Sequence, residues 1–135
     1  NAVMRGDVNS IKMGTRVNVE DNAVIHCTYK RFWTVIGDNV SIGHNAIVHG
    51  CDIHDNVLVG MGSIIMDGCI VEANSIVAAG AVVTAGTHIP SVYIYGGIPA
   101  KKIKQISSDL SKNEVQRIAE NYVLYSSWYQ DKLAK

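Results

Sequence analysis

Long apolar runs, an excess of one charge and a disordered composition are all missing from this chain of 135 residues. No stretch approaches the roughly 18 consecutive apolar residues that cross a membrane. The 12 Lys and Arg residues balance the 12 Asp and Glu residues, which argues against the basic surface that nucleic acids or anionic membranes require. Proline is scarce, with two residues against 12 glycines, and this composition is typical of a turn-rich fold rather than a disordered one.

Cysteine is also scarce, with three residues, Cys27, Cys51 and Cys69, and no Cys-x-x-Cys spacing among them. An odd number without paired spacing argues against a disulfide scaffold and predicts free, buried thiols in a reducing compartment. We therefore expect a cytoplasmic protein. The chain begins at Asn1 without a methionine or a signal-like segment, and we expect it to be part of a longer protein.

Bulky aromatic residues are too few to build the core, because Phe and Trp together number three. Valine, isoleucine and alanine must fill it, and from Ile36 onward they recur with a period of six residues. Each unit opens with Ile or Val, its second residue is often Gly, and its fifth residue is small or aliphatic. Nine consecutive units follow this pattern, one of them shortened to five residues: IGDNVS, IGHNAI, VHGCD, IHDNVL, VGMGSI, IMDGCI, VEANSI, VAAGAV and VTAGTH. The same phase recurs upstream in MGTRVN, VEDNAV and IHCT (residues 13–28).

This period distinguishes the array from a helix and from a simple strand. A helix would place apolar residues at i, i+3, i+4 and i+7, and an alternating strand would repeat every two residues. A period of six instead predicts a parallel β-coil, with a short strand on each flat face and a turn at each corner. The opening and fifth residues should point inward, while Gly and Asn take the corners where positive φ is needed. The predicted fold class is therefore mainly β, with the array over residues 1–95.

Residues 96–135 are predicted to form a linker and a C-terminal helix. The segment GGIPAKKIK (96–104) is typical of a turn and linker. Ser111 and Glu114 fit a capping box at the start of the helix. An apolar stripe at helical spacing then predicts packing on a face of the β-coil or on a neighbour. Its members are Val115, Ile118, Tyr122, Tyr125 and Tyr129.

Three of the five histidines hold related positions in the repeat. His26 and His49 are each the second residue of a unit and should face outward, 23 residues apart. If part of residues 27–34 bulges out at a corner, the two imidazoles lie one above the other on coils about 4.8 Å apart, close enough to share a metal. His44 lies on the preceding face and joins them only if a threefold assembly brings a neighbouring subunit alongside. Three imidazoles and a water are the catalytic arrangement of zinc, and three unrelated surface histidines are the alternative.

From Asn1 to about Lys104 the chain resembles the γ-class carbonic anhydrases and their relatives, a family of hexapeptide-repeat proteins. The resemblance includes a His-x4-His motif set behind an upstream His and an Arg-x-Asp. It implies a left-handed parallel β-helix with a C-terminal α-helix, in which three faces make a triangular prism and one coil takes 18 residues. The motifs that carry it are NAVMRGDV (1–8), NVEDNAVIH (18–26), IGHNAIVHGC (42–51), VGMGS (59–63) and GGIPAK (96–101).

The resemblance also implies a metal site between the subunits of a homotrimer. His26 and His49 would be zinc ligands from one subunit, and His44 would be the ligand from its neighbour. Fe2+ or Co2+ also fits three imidazoles and a water. Arg5 and Asp7 match the family's Arg-x-Asp, which lies at the subunit interface with the arginine also near the substrate anion.

The sequence departs from the best-characterised members at several positions. Glu20 stands where they carry a Gln that helps orient the zinc-bound oxygen, and Tyr122 aligns with an Asn near the metal. Their acidic loop, which carries a proton-shuttling Glu, is replaced by the short basic segment of residues 27–34. Members also have further coils upstream of the position of Asn1. The resemblance therefore supports zinc binding more strongly than fast hydration.

Three functions follow as alternatives. The first is reversible hydration of CO2 to bicarbonate by zinc-bound hydroxide, with Glu20 or Tyr122 hydrogen-bonded to the hydroxide and Arg5 helping to hold bicarbonate. The second is a coenzyme A-dependent acetyl transfer, because this fold hosts many acyltransferases, with His44 or His49 as general base. The third is a metal-binding homologue without catalysis. None of the three requires a nucleic acid or a membrane as partner.

Overall fold

Short strands dominate the part of the chain that the structure describes. The computed structural model covers residues 1–133, with side chains for all of them except 111–113 and 131–133, so the last two residues of the predicted C-terminal segment lie outside the described residues. The strands, in chain order, are β1 (Val3–Met4), β2 (Ile11–Met13), β3 (Asn18–Val19), β4 (Val24–His26), β5 (Thr34–Ile36), β6 (Ser41–Ile42), β7 (Ile47–His49), β8 (Asp52–Ile53), β9 (Leu58–Val59), β10 (Ile64–Ile65), β11 (Ile70–Val71), β12 (Ile76–Val77), β13 (Val82–Val83), β14 (His88–Ile89), β15 (Tyr93–Gly96) and β16 (Lys101–Gln105).

Every third strand pairs, so the chain winds through three sheets in turn. Sheet A has the order β1-β4-β7-β10-β13, sheet B has β2-β5-β8-β11-β14, and sheet C has β3-β6-β9-β12-β15-β16. All neighbours are parallel except β15 and β16, which are antiparallel. The predicted fold class, a left-handed parallel β-helix with a C-terminal α-helix, is confirmed.

The interior is filled by the positions that the repeat predicts. The opening residues are buried: Val48, Val59 and Ile65 are 0% exposed, and Ile36 is 2% exposed. Fifth residues such as Val57 are also 0% exposed. Full burial of one such aliphatic side chain contributes about 1.5–3 kcal/mol, so the stacked coils stabilise the prism without large aromatic residues. The three cysteines are free and buried, as predicted, and Cys51 and Cys69 belong to this interior.

Glycine has different structural roles at the second and fourth positions of the repeat unit. The fourth residue carries the positive φ, as at Asn39 and Asn56 (55° each) and Gly62 (66°). The second-position glycines were expected to share this role, but Gly43 has no positive φ. A Cβ on Gly43 would lie 2.8 Å from the backbone nitrogen of Met61 in the next coil. This glycine therefore permits close stacking of adjacent coils.

An insertion turn (residues 27–33) leaves the prism between β4 and β5, as the broken repeat predicts. Thr28 and Phe32 close it through an isolated antiparallel bridge, and the Thr28 carbonyl accepts the backbone N–H groups of Arg31 at 3.2 Å and Phe32 at 3.3 Å. Because the extra residues are looped out at a corner, strands before and after the turn keep their lateral pairing. His26 pairs with His49 in the β4–β7 register.

The C-terminal segment differs from its sequence prediction in two ways. Residues 101–105, expected in a linker, form β16 on the edge of sheet C. The helix begins earlier than the capping-box prediction, since α1 (Ser108–Leu110) leads through a π-helical segment (Ser111–Gln116) into α2 (Arg117–Leu133). Ser107 Oγ accepts the Leu110 N–H at 3.2 Å and caps this start.

The helix packs on sheet C, one of the two alternatives that its apolar stripe predicts. Val115 is 1% exposed and belongs to a cluster with Ile76 and Ile106, against which Leu58 and Ile94 also pack. The stripe does not stay covered along its length, because Tyr129 is 68% exposed. Within residues 1–133, no helix combines the length and the apolar character that a membrane crossing requires.

Candidate metal centre

The predicted pair of histidines lies on the outer surface of sheet A. His26 ends β4 and His49 ends β7, and the parallel register places them side by side. His26 Nδ1 lies 3.0 Å from His49 Nε2, and the two ring centroids are 5.0 Å apart. The pair arises because both residues follow a buried opening residue, Ile25 or Val48, and so both point outward. The side-by-side placement of these two imidazoles, one part of the metal prediction, is therefore present within one chain.

Carboxylates flank the pair on both sides. Asp67 Oδ1 lies 2.7 Å from His49 Nδ1, and Asp7 Oδ1 lies 2.9 Å from His26 Nε2. Arg5 donates a hydrogen bond to the other oxygen of Asp7. The hydrogen bonds from His26 and then from Arg5 lower the pKa of Asp7 below its ordinary value. Burial acts to raise the pKa of Asp67, but hydrogen bonds from Thr28 and His49 outweigh it, so this pKa is also lowered.

These contacts leave the two inner nitrogens facing each other. If each imidazole donates its outer N–H to the flanking carboxylate, His26 Nδ1 and His49 Nε2 both present lone pairs across 3.0 Å. Two lone pairs at that distance repel unless a cation lies between them, either a proton or a metal ion. Two nitrogens bound to one tetrahedral zinc at 2.0–2.1 Å are about 3.3 Å apart, which is close to the observed separation. The pair therefore fits two of the three ligands of the predicted zinc site.

His44 occupies a different place, with Glu20 and Tyr122. Its Nε2 lies 3.0 Å from Glu20 Oε2 and its Nδ1 lies 3.6 Å from Asp21 Oδ2. Glu20 also accepts the backbone N–H of His44 at 3.2 Å. The side chain of Glu20 is 12% exposed, whereas that of His44 is 41% exposed. Partial burial and the neighbouring Glu20 raise the pKa of Tyr122 to about 12, so the phenol keeps its proton at neutral pH.

The predicted site residues thus form two separate groups. One group, called the paired-histidine half-site, contains Arg5, Asp7, His26 and His49. The other, called the His44 half-site, contains Glu20, His44 and Tyr122. Among the described residues, no three His, Cys, Asp or Glu side chains of one chain converge tightly enough to hold a metal ion. Within the described residues of one chain, His26, His44 and His49 therefore do not form a three-histidine site.

Asp67 is a residue that the sequence analysis missed. It lies 18 residues after His49, and this spacing places it beside His49 on the next coil. The 18-residue coil length was part of the predicted fold, so the coil arithmetic contained the signal. A polar residue one coil beyond a predicted ligand is thus a candidate partner for that ligand.

The comparisons with known proteins agree with this architecture. A family model described as bacterial transferase hexapeptide (six repeats) matches residues 50–85. A Methanocaldococcus jannaschii protein named probable carbonic anhydrase is 50% identical over 93% of this chain and 76% of its own length. The crystal structure of a hexapeptide transferase family protein from Anaplasma phagocytophilum superposes with a TM-score of 0.89, at 40% identity, over 95% of this chain and 74% of that one.

A plant relative shows how much of a longer protein the chain matches. The Arabidopsis thaliana protein named gamma carbonic anhydrase 2, mitochondrial, is 41% identical over 90% of this chain. The chain spans 45% of that relative's length, whereas it spans 76% of the Methanocaldococcus protein. The repeat array, the paired histidines and these similarities lead to one conclusion: this chain belongs to the γ-class carbonic anhydrase-like, hexapeptide-repeat family of left-handed β-helix proteins.

Proposed function

We propose that this protein is a zinc-dependent, γ-class carbonic anhydrase-like enzyme that hydrates CO2 reversibly to bicarbonate at the interfaces of a homotrimer. The observation that carries the proposal is the pair of inner nitrogens of His26 and His49, 3.0 Å apart with a carboxylate behind each ring. With both outer N–H groups donated to carboxylates, the two lone pairs favour a cation between them, either a proton or a metal ion. Two imidazoles with a third from a neighbour make a site for zinc. Fe2+ or Co2+ also suits such ligands.

The separation of the half-sites supports a site shared between subunits, and the proposed assembly is a trimer. His44 is 41% exposed in one chain and does not belong to the paired-histidine half-site. In a closed ring of three subunits, every interface would join the His44 half-site of one chain to the paired-histidine half-site of the next. Each trimer would then contain three equivalent sites, and a monomer would contain none.

The residues around the metal have separate roles in the proposed reaction. When bound to three imidazoles, zinc lowers the pKa of a coordinated water molecule to about 7 and so supplies a nucleophile for CO2 at neutral pH. Glu20, nearly buried and held by the His44 N–H, offers an acceptor that orients the attacking group. Tyr122, with its pKa near 12, remains a donor to Glu20 and fixes that carboxylate.

The product of hydration is an anion, and Arg5 is placed to hold it. Its guanidinium is 55% exposed at the edge of the paired-histidine half-site and is anchored by Asp7.

A proton must also leave for each CO2 hydrated. The insertion turn offers Lys30 and Arg31 rather than a carboxylate, so we propose slower proton release than in members with an acidic loop.

Metal analysis of the purified protein, paired with a CO2 hydration assay, tests the proposal. We expect one zinc per subunit in a trimer, hydration that stops on chelation, and recovery when zinc is returned. His49→Ala should lose both metal and hydration, while His54→Ala, which removes an exposed histidine elsewhere on the prism, should keep both. A metal-loaded monomer, or hydration that survives complete metal removal, contradicts the proposal. Zinc binding without hydration would identify the catalytically silent alternative.

Coenzyme A-dependent acyl transfer is the second candidate, and one contact favours it. His44 Nε2 lies 3.0 Å from Glu20, an imidazole and carboxylate arranged as in a general base that abstracts a proton from an acceptor. Acetyl transfer from acetyl coenzyme A by the metal-free protein, lost in His44→Ala and kept in His49→Ala, would favour this candidate over the first.

A further inference from the structure

Aspartate recurs at the third position of the repeat unit, and its partners differ between corners of the prism. Asp38 accepts the backbone N–H of Thr15 at 2.6 Å, and Asp55 accepts the backbone N–H of Asp38 at 2.8 Å. Both carboxylates thus stabilise the preceding coil. Asp67 holds the same position in IMDGCI, but its partners are two side chains, His49 at 2.7 Å and Thr28 at 2.6 Å.

The insertion turn contacts this part of the molecule at two points. Thr28 Oγ1 donates to Asp67 Oδ2 and leaves Oδ1 for His49. Phe32 covers the backbone next to both residues. A Cβ on Gly50, which follows His49, would lie 2.7 Å from Phe32 Cβ, and a Cβ on Gly68, which follows Asp67, would lie 3.1 Å from Phe32 Cε1. The turn is therefore packed against the backbone of His49 and Asp67 and is also hydrogen-bonded to the carboxylate.

We propose that Asp67 is the positioning residue of His49 and that the insertion turn, through Thr28 and Phe32, supports Asp67 in that role. Asp67 accepts the Nδ1–H of His49, which fixes the tautomer and directs the Nε2 lone pair toward His26 Nδ1. A metal-binding histidine needs this tautomer and this orientation. The inference rests on the proposed function in taking His49 as a metal ligand. It assigns to the insertion turn a structural role in the site.

The zinc dissociation constant of the full-length trimer, measured by competition with a chromophoric chelator, tests the proposal. Asp67→Ala should weaken zinc binding about 10–100-fold, the usual effect of removing the partner of a ligating histidine. Asp67→Asn retains an acceptor oxygen and should lose less. Thr28→Val, which removes the hydroxyl, should also weaken zinc binding. Thr28→Ser, which keeps the hydroxyl, should bind zinc as tightly as the wild type. Asp55→Ala is the matched control, because the same residue type is removed from the same repeat position at another corner; its zinc affinity should equal that of the wild type.

The tautomer of His49, observed by nitrogen-15 NMR of the metal-free protein, tests the same contact without zinc. We expect Nδ1–H in the wild type and loss of that preference in Asp67→Ala. If Asp67→Ala does not fold, Asp67→Asn and Thr28→Val give the comparison. If the wild-type protein binds no zinc, the proposed function is wrong. The tautomer measurement still tests whether Asp67 controls His49. An unchanged tautomer, or zinc affinity within twofold of wild type in Asp67→Ala, overturns the inference.

Discussion

The carboxylate of Glu20 holds His44 at two points, accepting its backbone N–H at 3.2 Å and lying 3.0 Å from its Nε2. The first contact fixes the backbone of the residue and the second restrains its ring. The imidazole is nevertheless 41% exposed, so a neighbouring subunit can reach it. His44 is thus a restrained but accessible side chain, which is what a ligand shared between chains requires.

Complementation between mutants tests the shared site. His44→Ala chains keep the paired-histidine half-site, and His26→Ala/His49→Ala chains keep the His44 half-site. Each mutant alone should bind no zinc tightly, because losing a ligand costs more than the 10–100-fold effect of a supporting residue. Refolding the two together should produce mixed trimers in which some interfaces regain all three histidines.

Zinc per trimer is the measurement for this experiment, followed by CO2 hydration. The formation of mixed trimers is checked independently by a size-tagged chain. If mixed trimers form but hold no more zinc than the separate mutants, the site is not shared between subunits. A metal-free acyltransferase, whichever of His44 and His49 is its base, predicts no recovery of zinc.

Because of the phenol of Tyr122, the free energy of unfolding should fall as the pH rises above 10. Its pKa is about 12 in the folded protein against an ordinary value of 10.0, because burial and Glu20 disfavour the phenolate. The protonated form is the one that folding favours, so this contribution to stability is complete below pH 10 and is lost as the pH rises from 10 to 12.

Tyr122→Phe should remove that part of the alkaline decline. Urea unfolding on either side of pH 10 measures it, and Tyr29→Phe, which removes an exposed phenol on the insertion turn, is the matched control. Equal alkaline declines in wild type and Tyr122→Phe would show that the phenol is not held in this environment. Glu20→Gln should lower the pKa of Tyr122 toward 10, which the ultraviolet absorbance of the phenolate reports.

Cys51 and Cys69 should resist thiol reagents in the native protein. They are 2% and 1% exposed, and burial raises the pKa of both thiols above their ordinary value. The thiolate is the nucleophile that attacks such reagents, so labelling of these buried, protonated thiols requires the coil to open. Mass spectrometry should find both residues unlabelled until the denaturant concentration reaches the unfolding transition. Rapid labelling of both before that transition contradicts their inward orientation.

One substitution at two glycines separates the roles of the corner positions. Gly43→Asn places a Cβ against the Met61 nitrogen, 2.8 Å away, and should lower the free energy of unfolding by about 1–3 kcal/mol. Gly62→Asn introduces the residue that already takes positive φ at Asn39 and Asn56, and an added Cβ there meets no atom within 4 Å. Its effect should stay below about 0.5 kcal/mol. Urea midpoints of the two variants measure the difference, and equal losses would mean that coil stacking does not need Gly43.

The repeat made much of the fold predictable because one position in the unit determines which way a side chain faces. The phase of Ile25 and Val48 placed His26 and His49 outward, and the insertion between them explained their spacing. Asp67 was missed because its partners are side chains, those of Thr28 and His49, whereas a third-position aspartate such as Asp38 accepts a backbone N–H of the preceding coil. The local sequence does not reveal which corner a given aspartate serves.

The C-terminal segment was less predictable for a different reason. Nothing in the local pattern of residues 101–105 favours a strand, and β16 pairs antiparallel with β15 at the edge of sheet C. Two serines, Ser107 and Ser111, are candidates for the residue that caps the start of the helix. Ser107 caps the helix in the structure, and packing of Leu110 and Val115 on sheet C is a tertiary effect that capping rules do not contain.

The composition of β16 has a consequence for association between molecules. Sheet C would otherwise end at β15, a four-residue strand with free backbone groups that invite pairing with another chain. β16 occupies that edge and presents Lys101, Lys102 and Lys104 along it, all exposed. Lysines on an edge strand repel the same strand of a second molecule, and they must lose hydration before any edge-to-edge pairing. The segment that follows the repeats therefore protects this end of sheet C against fibre-like stacking of prisms.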